Sequence, residues 1–297
     1  MATGFTSVDL SRLPPPNVVE RVDFETIVTE MLADLRLRDP GFDALVESDP
    51  AYKILEVCAY RELLIRERVN TAAQAVMLAY ARGADLDQLG AVLGVARLRL
   101  DAGNPNAGID PTFESDEDFR RRIQLAPEGF SVAGPEGAYV FHALSAAGDV
   151  LDASATSPSP GEVVVSILSR TGDGTANPTL LNRVAQVLTN ENVRPMTDHV
   201  TVQSAEIVPY TVTATVFTFA GPDSSVVLNE ASARLERYIE ESHRLGRDVT
   251  LSGLYSALHV DGVQRVELVT PATDVVISRT QASHCTGAAI TFGGVDE

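Results

Sequence analysis

The histidines and cysteines offer the widest range of chemistry in this sequence, and they are scattered singly. No two histidines have the HxxxH or HExxH spacing that places two imidazoles on one metal ion, and neither Cys58 nor Cys285 lies at metal-ligand spacing. Histidines in helical stretches beside apolar neighbours are typical of partly buried structural side chains. We therefore expect no metal site and no cofactor. The histidines are His142, His199, His243, His259 and His284.

Two other stretches contain groups that bind cations in some proteins. Residues 116–118 are Asp-Glu-Asp and follow Ser115, so they fill the first turn of a predicted helix, where the helix dipole favours negative charge. The TGDGT sequence at residues 171–175 resembles the start of a calcium loop but lacks the further oxygen ligands and the closing glutamate. Helix capping and a turn explain both stretches without a bound ion.

The sequence contains none of the local motifs that mark a catalytic centre. It has no GxSxG nucleophile elbow, no P-loop and no dinucleotide fingerprint after a strand, so we expect a protein that is not an enzyme. Catalytic groups also assemble in space rather than in sequence. A hidden site around Glu128, His142 and Asp152 therefore stays open as an alternative.

Composition limits the partners and the compartment. The chain has 297 residues, a formal net charge of −18 and 44% hydrophobic residues, which is enough for two or three domains with ordinary cores. Phosphate backbones and anionic membrane surfaces would be repelled, and no apolar run is long enough to span a bilayer. We expect no nucleic acid partner, no membrane insertion and no signal peptide, so that the protein is made in the cytoplasm.

A long helical pattern from Asp49 to Ala81 is the element around which the chain is organised. Asp49 and Pro50 suit a helix start, and Gly83 suits its end. At about 100° per residue its apolar side chains form two separate stripes, whereas a surface helix needs only one. The first stripe contains Ala51, Ile54, Cys58, Ile65, Val69, Ala72 and Val76, and the second contains Val57, Tyr60, Leu64 and Leu78.

We expect the helices of the same domain to cover the first stripe, with Cys58 in the core. Those helices contain Ile27, Met31 and Leu35, and Leu86 and Leu93, and they are too short to cover both sides. The second stripe is then covered by a second polypeptide, most simply another copy of this chain, or alternatively by the α/β half. The predicted subunit-packing residues are Val57, Tyr60, Leu64, Val69 and Leu78.

The remaining patterns predict an α+β fold. An N-terminal helical domain with one long central helix is followed by two small α/β modules with mixed sheets. Pro14, Pro15 and Pro16 make the N-terminus an extended arm that docks on a neighbour. The predicted segments are the arm at 1–22, a helical oligomerisation domain at 23–100, a linker at 101–114, and α/β modules at 115–205 and 206–297.

Four stretches together resemble the baseplate J proteins of contractile-tailed phages and phage-tail-like particles. They are LPPPNVVERVDFETI at 13–27, the helical region at 49–90, the ESDEDFRRR to FHALSA region at 114–146, and RPMTDHVTV at 194–202 with VPYTV at 208–212. No single motif is diagnostic; the order of the stretches and their spread over the chain carry the resemblance.

The resemblance implies a structural role in a baseplate wedge. Family members surround the central spike or hub, pair in two copies through their helical parts, and bind the sheath-initiating protein and other wedge proteins. The chain would be assembled in the host cytoplasm and then remain in the virion or particle. The sequence does not distinguish among infectious phages, bacteriocins and other injection particles. The alternative function is a soluble binding module with a helical oligomerisation domain.

Overall fold

The computed structural model describes residues 10, 13, 14, 16, 18–221 and 223–295. Most of the predicted N-terminal arm therefore lies outside the described residues. The chain forms two compact units. A helical unit contains the described residues up to 97 together with residues 115–123, and an α/β unit contains residues 98–114 and the described residues from 124 onward. The five-segment division of the sequence stays a prediction.

The helices and strands follow the order expected for an α+β chain. The helices are α1 (Phe24–Arg38), α2 (Pro50–Ala75), α3 (Gly83–Val92), α4 (Asp116–Leu125), α5 (Glu136–Ala146), α6 (Pro178–Leu188), α7 (Ser224–Ser242) and α8 (Leu251–Leu258). The strands are β1 (Arg99–Asp101), β2 (Thr112–Phe113), β3 (Val150–Thr156), β4 (Glu162–Ser169), β5 (His199–Ser204), β6 (Glu206–Thr218), β7 (Val263–Thr270) and β8 (Gln281–Val295).

Local capping explains where the first helices begin. The Asp23 carboxylate accepts the backbone N–H of Thr26 at 2.9 Å, and this bond caps the start of α1. Asp49 precedes α2, but its side chain makes no capping bond and instead accepts the N–H of Val46 at 2.9 Å. The start of α2 therefore rests on Pro50, which needs no N–H partner in the first turn.

The end of α2 differs from the prediction. The helix stops at Ala75 rather than Ala81, and the chain turns over residues 76–80. The guanidinium of Arg120 donates to the carbonyls of Leu78 and Ala81, each at 2.7 Å. An arginine 42 and 39 residues away in sequence thus satisfies two carbonyls that a continued helix would have used internally.

The α/β unit contains two separate three-stranded sheets, each with one antiparallel and one parallel pairing. The first has the order β3-β4-β5 and packs on α5 and α6 around a core that includes Tyr139, Ile167 and Val184. The second has the order β7-β6-β8 and packs on α7 and α8. The predicted α+β class with mixed sheets is confirmed.

Two segments of the α/β unit differ from what the sequence predicts, which is a short strand at 275–278 and a last strand at 288–292. Residues 275–278 do not form a strand, because Val275 makes only one bridge, to Val249. The last strand is much longer than the predicted 288–292, since β8 pairs with β6 along nearly its whole length. The sequence between Asp101 and Thr112, predicted as a linker, is flanked by the short pair β1 and β2.

Candidate assembly surface

One face of α2 forms the core of the helical unit. Ala59 is fully buried, and it lies in a cluster with Ile27 and Val28 of α1. Tyr52 and Leu63 pack against the same cluster while remaining partly accessible. A small residue at the centre of a helix contact allows close approach of the two backbones, so Ala59 determines which face α1 covers.

The face of α2 that contains Ala59 also binds the end of the N-terminal arm, at Glu20. Asn70 is buried at 6% exposure, and its amide donates to the carbonyl of Glu20 at 2.8 Å and accepts the Glu20 N–H at 2.9 Å. The Tyr80 hydroxyl donates to the Leu13 carbonyl at 3.3 Å. A buried amide that satisfies both backbone groups of one residue fixes the path of the chain at that residue.

The outer half of α2 is apolar and exposed, and this corrects the expected packing. The stripe predicted to pack on the same domain is exposed, and Cys58 is exposed rather than in the core. The reason is that α1 packs on the face of Ala59 and Asn70, whose side chains are not the most hydrophobic of the helix. The large exposed side chains are Ile54, Val57, Tyr60, Leu64, Ile65, Val69 and Val76, at 41% to 69% exposure.

Four of the five predicted subunit-packing residues lie on this outer half. Val57, Tyr60 and Leu64 follow one side of it, and Val69 lies on the neighbouring stripe. Leu78 does not join them, because α2 has already ended and Leu78 is half-buried in the turn held by Arg120. We use the name outer face for the seven large exposed side chains on α2 and its C-cap.

Two arginines stand between the apolar stripes of the outer face. Arg61 and Arg68 are exposed, and neither has an ion-pair partner within the described part of the chain. Arg66, by contrast, lies 2.5 Å from Glu62 and 3.8 Å from Glu20. Arg61 and Arg68 are therefore the cations of the outer face that stay available to acidic groups of a partner.

The acidic cluster at residues 116–118 has a structural role that the sequence did not reveal. Asp116 accepts the N–H of Gly83 at 3.1 Å and the guanidinium of Arg97 at 2.7 Å, and Arg97 also reaches Asp87. Burial opposes ionisation of Asp116, but the Gly83 N–H and Arg97 outweigh it and lower the pKa of this carboxyl. The cluster fixes the start of α3.

The three residues of the alternative enzyme site have local structural partners. His142 is half-buried and lies 3.2 Å from the Gly129 carbonyl, and burial lowers the pKa of its imidazole despite that contact. The buried Asp152 accepts the N–H groups of Ala153 at 2.9 Å and Leu245 at 3.0 Å. The Glu128 side chain packs against Gly137, where a Cβ atom would lie 2.8 Å from it.

Neither a metal-binding cluster nor a membrane-spanning helix occurs among the described residues. They contain no group of three His, Cys, Asp or Glu side chains able to hold a metal ion. No helix within the described ranges combines the length and the apolar character needed to cross a bilayer. The feature that distinguishes this chain is thus the apolar outer face on a multi-domain α+β protein, which is typical of a subunit built for assembly.

Comparison with known proteins gives the family. The Baseplate J-like N-terminal domain matches residues 47–104, the central domain matches 131–204, and the C-terminal domain matches 210–291. Baseplate protein J of Escherichia phage P2 is 49% identical over 300 aligned positions, which cover 98% of this chain and 99% of that protein. The chain belongs to the baseplate J family, and it is a structural baseplate component of a contractile phage tail or tail-like particle.

A solved structure of the anti-feeding prophage baseplate contains a more distant match. It shares 15% identity with this chain at a TM-score of 0.39, covering 60% of this chain and 43% of that chain. The family assignment rests on the phage P2 relative and the three domains.

Proposed function

We propose that this chain is a baseplate wedge subunit that pairs with a second copy of itself through the outer face of α2. The observation that carries the proposal is a single helix with seven large apolar side chains left exposed by its own unit. Exposed apolar surface of this extent is a liability for an isolated chain and is typical of an assembly contact. The residues concerned include the predicted Val57, Tyr60, Leu64 and Val69.

The free energy available from burying the outer face indicates a contact of modest strength. In a symmetric pair each copy contributes seven side chains that are roughly half exposed, and burying the rest of each contributes about 1 kcal/mol, or about 14 kcal/mol for both copies. Association costs about 4 to 15 kcal/mol in lost freedom. A pair held by this face alone is therefore of modest strength, and other wedge proteins stabilise it further.

Partners other than the second copy complete the wedge. We propose a smaller wedge protein as one of them. We extend the proposal to the sheath-initiating protein and the central spike or hub as further partners, and to assembly in the host cytoplasm. We also propose that the role is non-enzymatic, since His142 and Asp152 have structural partners within the fold.

The pairing is tested by placing a charge on the outer face. Val57→Glu and Leu64→Glu are expected to lower self-association, measured by sedimentation velocity, while the far-ultraviolet circular dichroism stays unchanged. Val226→Glu is the matched control, because Val226 lies on a helix outside the face and is 63% exposed against 61% for Val57. Global unfolding of the α2 variants, or equal association of all three variants, would contradict the proposal.

A second readout connects the pairing to the particle. Particles produced with Leu64→Glu and examined by negative-stain microscopy are expected to lack complete baseplates, whereas Val226→Glu is expected to give complete ones. His142→Ala tests the non-enzymatic role, and complete particles are the expected outcome. Loss of particles with His142→Ala in a folded chain would argue for chemistry at that residue.

A further inference from the structure

The last strand, β8, leaves one edge of the second sheet open. It pairs with β6 on one side, and a single bridge between Leu245 and Ala282 covers only the start of its other side. From Cys285 to Val295 no described segment pairs with that edge. A row of unpaired N–H and C=O groups of this length is a template for another strand.

This edge lacks the features that protect most edge strands. Residues 280–295 contain no Asp, Glu, Lys, Arg or Pro, although the chain has 22% charged residues. The other edge strand of the same sheet, β7, carries Arg265 and Glu267 and is followed by Pro271. Charges and prolines on an edge prevent pairing, so their absence on β8 indicates that its edge is covered in the assembly.

Two irregularities limit the segment that can pair. The register with β6 shifts between Tyr210 and Thr211 and again between Val216 and Phe217, which leaves Thr286 and Gly293 without a partner on β6. Between them, Gly287–Phe292 is regular. Ile290 packs toward the helices, whereas the Thr291 hydroxyl lies 3.1 Å from that of Thr215 on β6. Residues 288, 290 and 292 therefore lie on the face of the sheet toward the helices, although Ala288 and Phe292 remain exposed, and residues 287, 289 and 291 lie on the opposite face.

The side-chain sizes along this segment are self-complementary. In an antiparallel pair, residues directly opposite each other lie on the same face, so a two-fold axis passes beside a single residue. With the axis beside Ala289, two small side chains face each other there. Ile290 of one copy then lies opposite Ala288 of the other, and Thr291 lies opposite Gly287. Each larger side chain meets a smaller one, which is the condition for close cross-strand packing.

We propose that β8 pairs antiparallel with β8 of a second copy of this chain, centred on Ala289, so that two three-stranded sheets become one of six strands. The pairing supplies about four to six backbone hydrogen bonds. Residues 280–295 carry no Asp, Glu, Lys or Arg, so this pairing brings no like charges opposite each other. The contact lies in the α/β unit and is independent of the outer face of α2.

Cross-linking tests the register. The background is Leu64→Glu with Cys58→Ser and Cys285→Ala, which removes the α2 contact and both native thiols. Ala289→Cys places two thiols opposite each other, with Cα atoms about 5 Å apart, within the range of a disulfide. Thr291→Cys is the matched control on the same strand and face. In the proposed pair its Cα atom lies about 13 Å from the Cα atom of residue 291 in the second copy. Diamide is the oxidant that accepts the two electrons and two protons of the paired thiols.

The expected result is a covalent dimer from Ala289→Cys at a yield about tenfold above that of Thr291→Cys. Ala289→Lys in the same background is expected to weaken self-association about tenfold, because two like charges would lie directly opposite. Thr213→Lys is its control, since Thr213 neighbours Ala289 on the central strand, one strand away from the edge. Equal or absent cross-linking of the two cysteines, or equal association of the two lysine variants, would overturn the proposal.

Discussion

Two buried tyrosines of the α/β unit make a matched test of what a hydrogen bond contributes to this fold. Tyr139 is 2% exposed, and its hydroxyl donates to the Asp198 carboxylate at 2.7 Å. Tyr210 is 8% exposed, and its buried hydroxyl has no oxygen or nitrogen partner among the described residues, although it lies near the Cys285 thiol. Replacement by Phe removes the same atom from both sites.

The structure gives opposite expectations for the two variants. A hydrogen bond to a charged group contributes about 1.5 to 3 kcal/mol, and the partial exposure of Asp198 places Tyr139→Phe near a loss of 1.5 kcal/mol. Tyr210→Phe removes a buried hydroxyl that has no oxygen or nitrogen partner among the described residues. It should therefore lower the free energy of unfolding by less than about 0.5 kcal/mol, or raise it. Urea unfolding followed by circular dichroism measures both. Equal losses in the two variants would refute this reasoning.

The same tyrosines predict the alkaline behaviour of the α/β unit. Burial, followed by the hydrogen bond to Asp198, raises the pKa of Tyr139, and burial raises the pKa of Tyr210. Groups whose folded pKa is raised contribute stability that is complete below their unfolded pKa of about 10 and is lost as the pH rises above it. The double Phe variant should therefore lose less stability than the parent between about pH 10 and 11.5.

Three further predictions concern the helical unit. Gly90→Ala should destabilise it by about 1 to 3 kcal/mol in thermal unfolding, although alanine favours helix, because the new Cβ would lie 2.5 Å from the Phe119 ring. Arg120→Met should cost about 3 kcal/mol, since two carbonyls in the turn after α2 lose a charged donor; an unchanged melting temperature would contradict this. Asn70→Ala should release the end of the arm and raise hydrogen exchange there, whereas Thr71→Ala, at an exposed neighbouring position, should not.

The sequence alone determined most of the local structure, because the signals involved are local. The Asp23 cap of α1, the Pro50 start of α2 and the positive φ of Gly94 after α3 each act within one turn of chain, so these helix ends follow from local residues. The apolar, valine-rich run at residues 162–168 likewise indicates the strand β4. The order and spread of four stretches were sufficient for the family resemblance, which the comparison with phage P2 supports.

Only the tertiary structure decided which face of α2 is buried and where that helix ends. Its two apolar stripes satisfy the same periodicity, and neither is the buried one, since α1 packs on Ala59 and the arm is held by Asn70. After Ala75 the chain turns, and Arg120 donates to the carbonyls of Leu78 and Ala81 in that turn, a contact that no local pattern contains. The length of β8 likewise follows from pairing with β6, because a segment rich in Gly, Ala and Thr becomes a strand only when a partner supplies its hydrogen bonds.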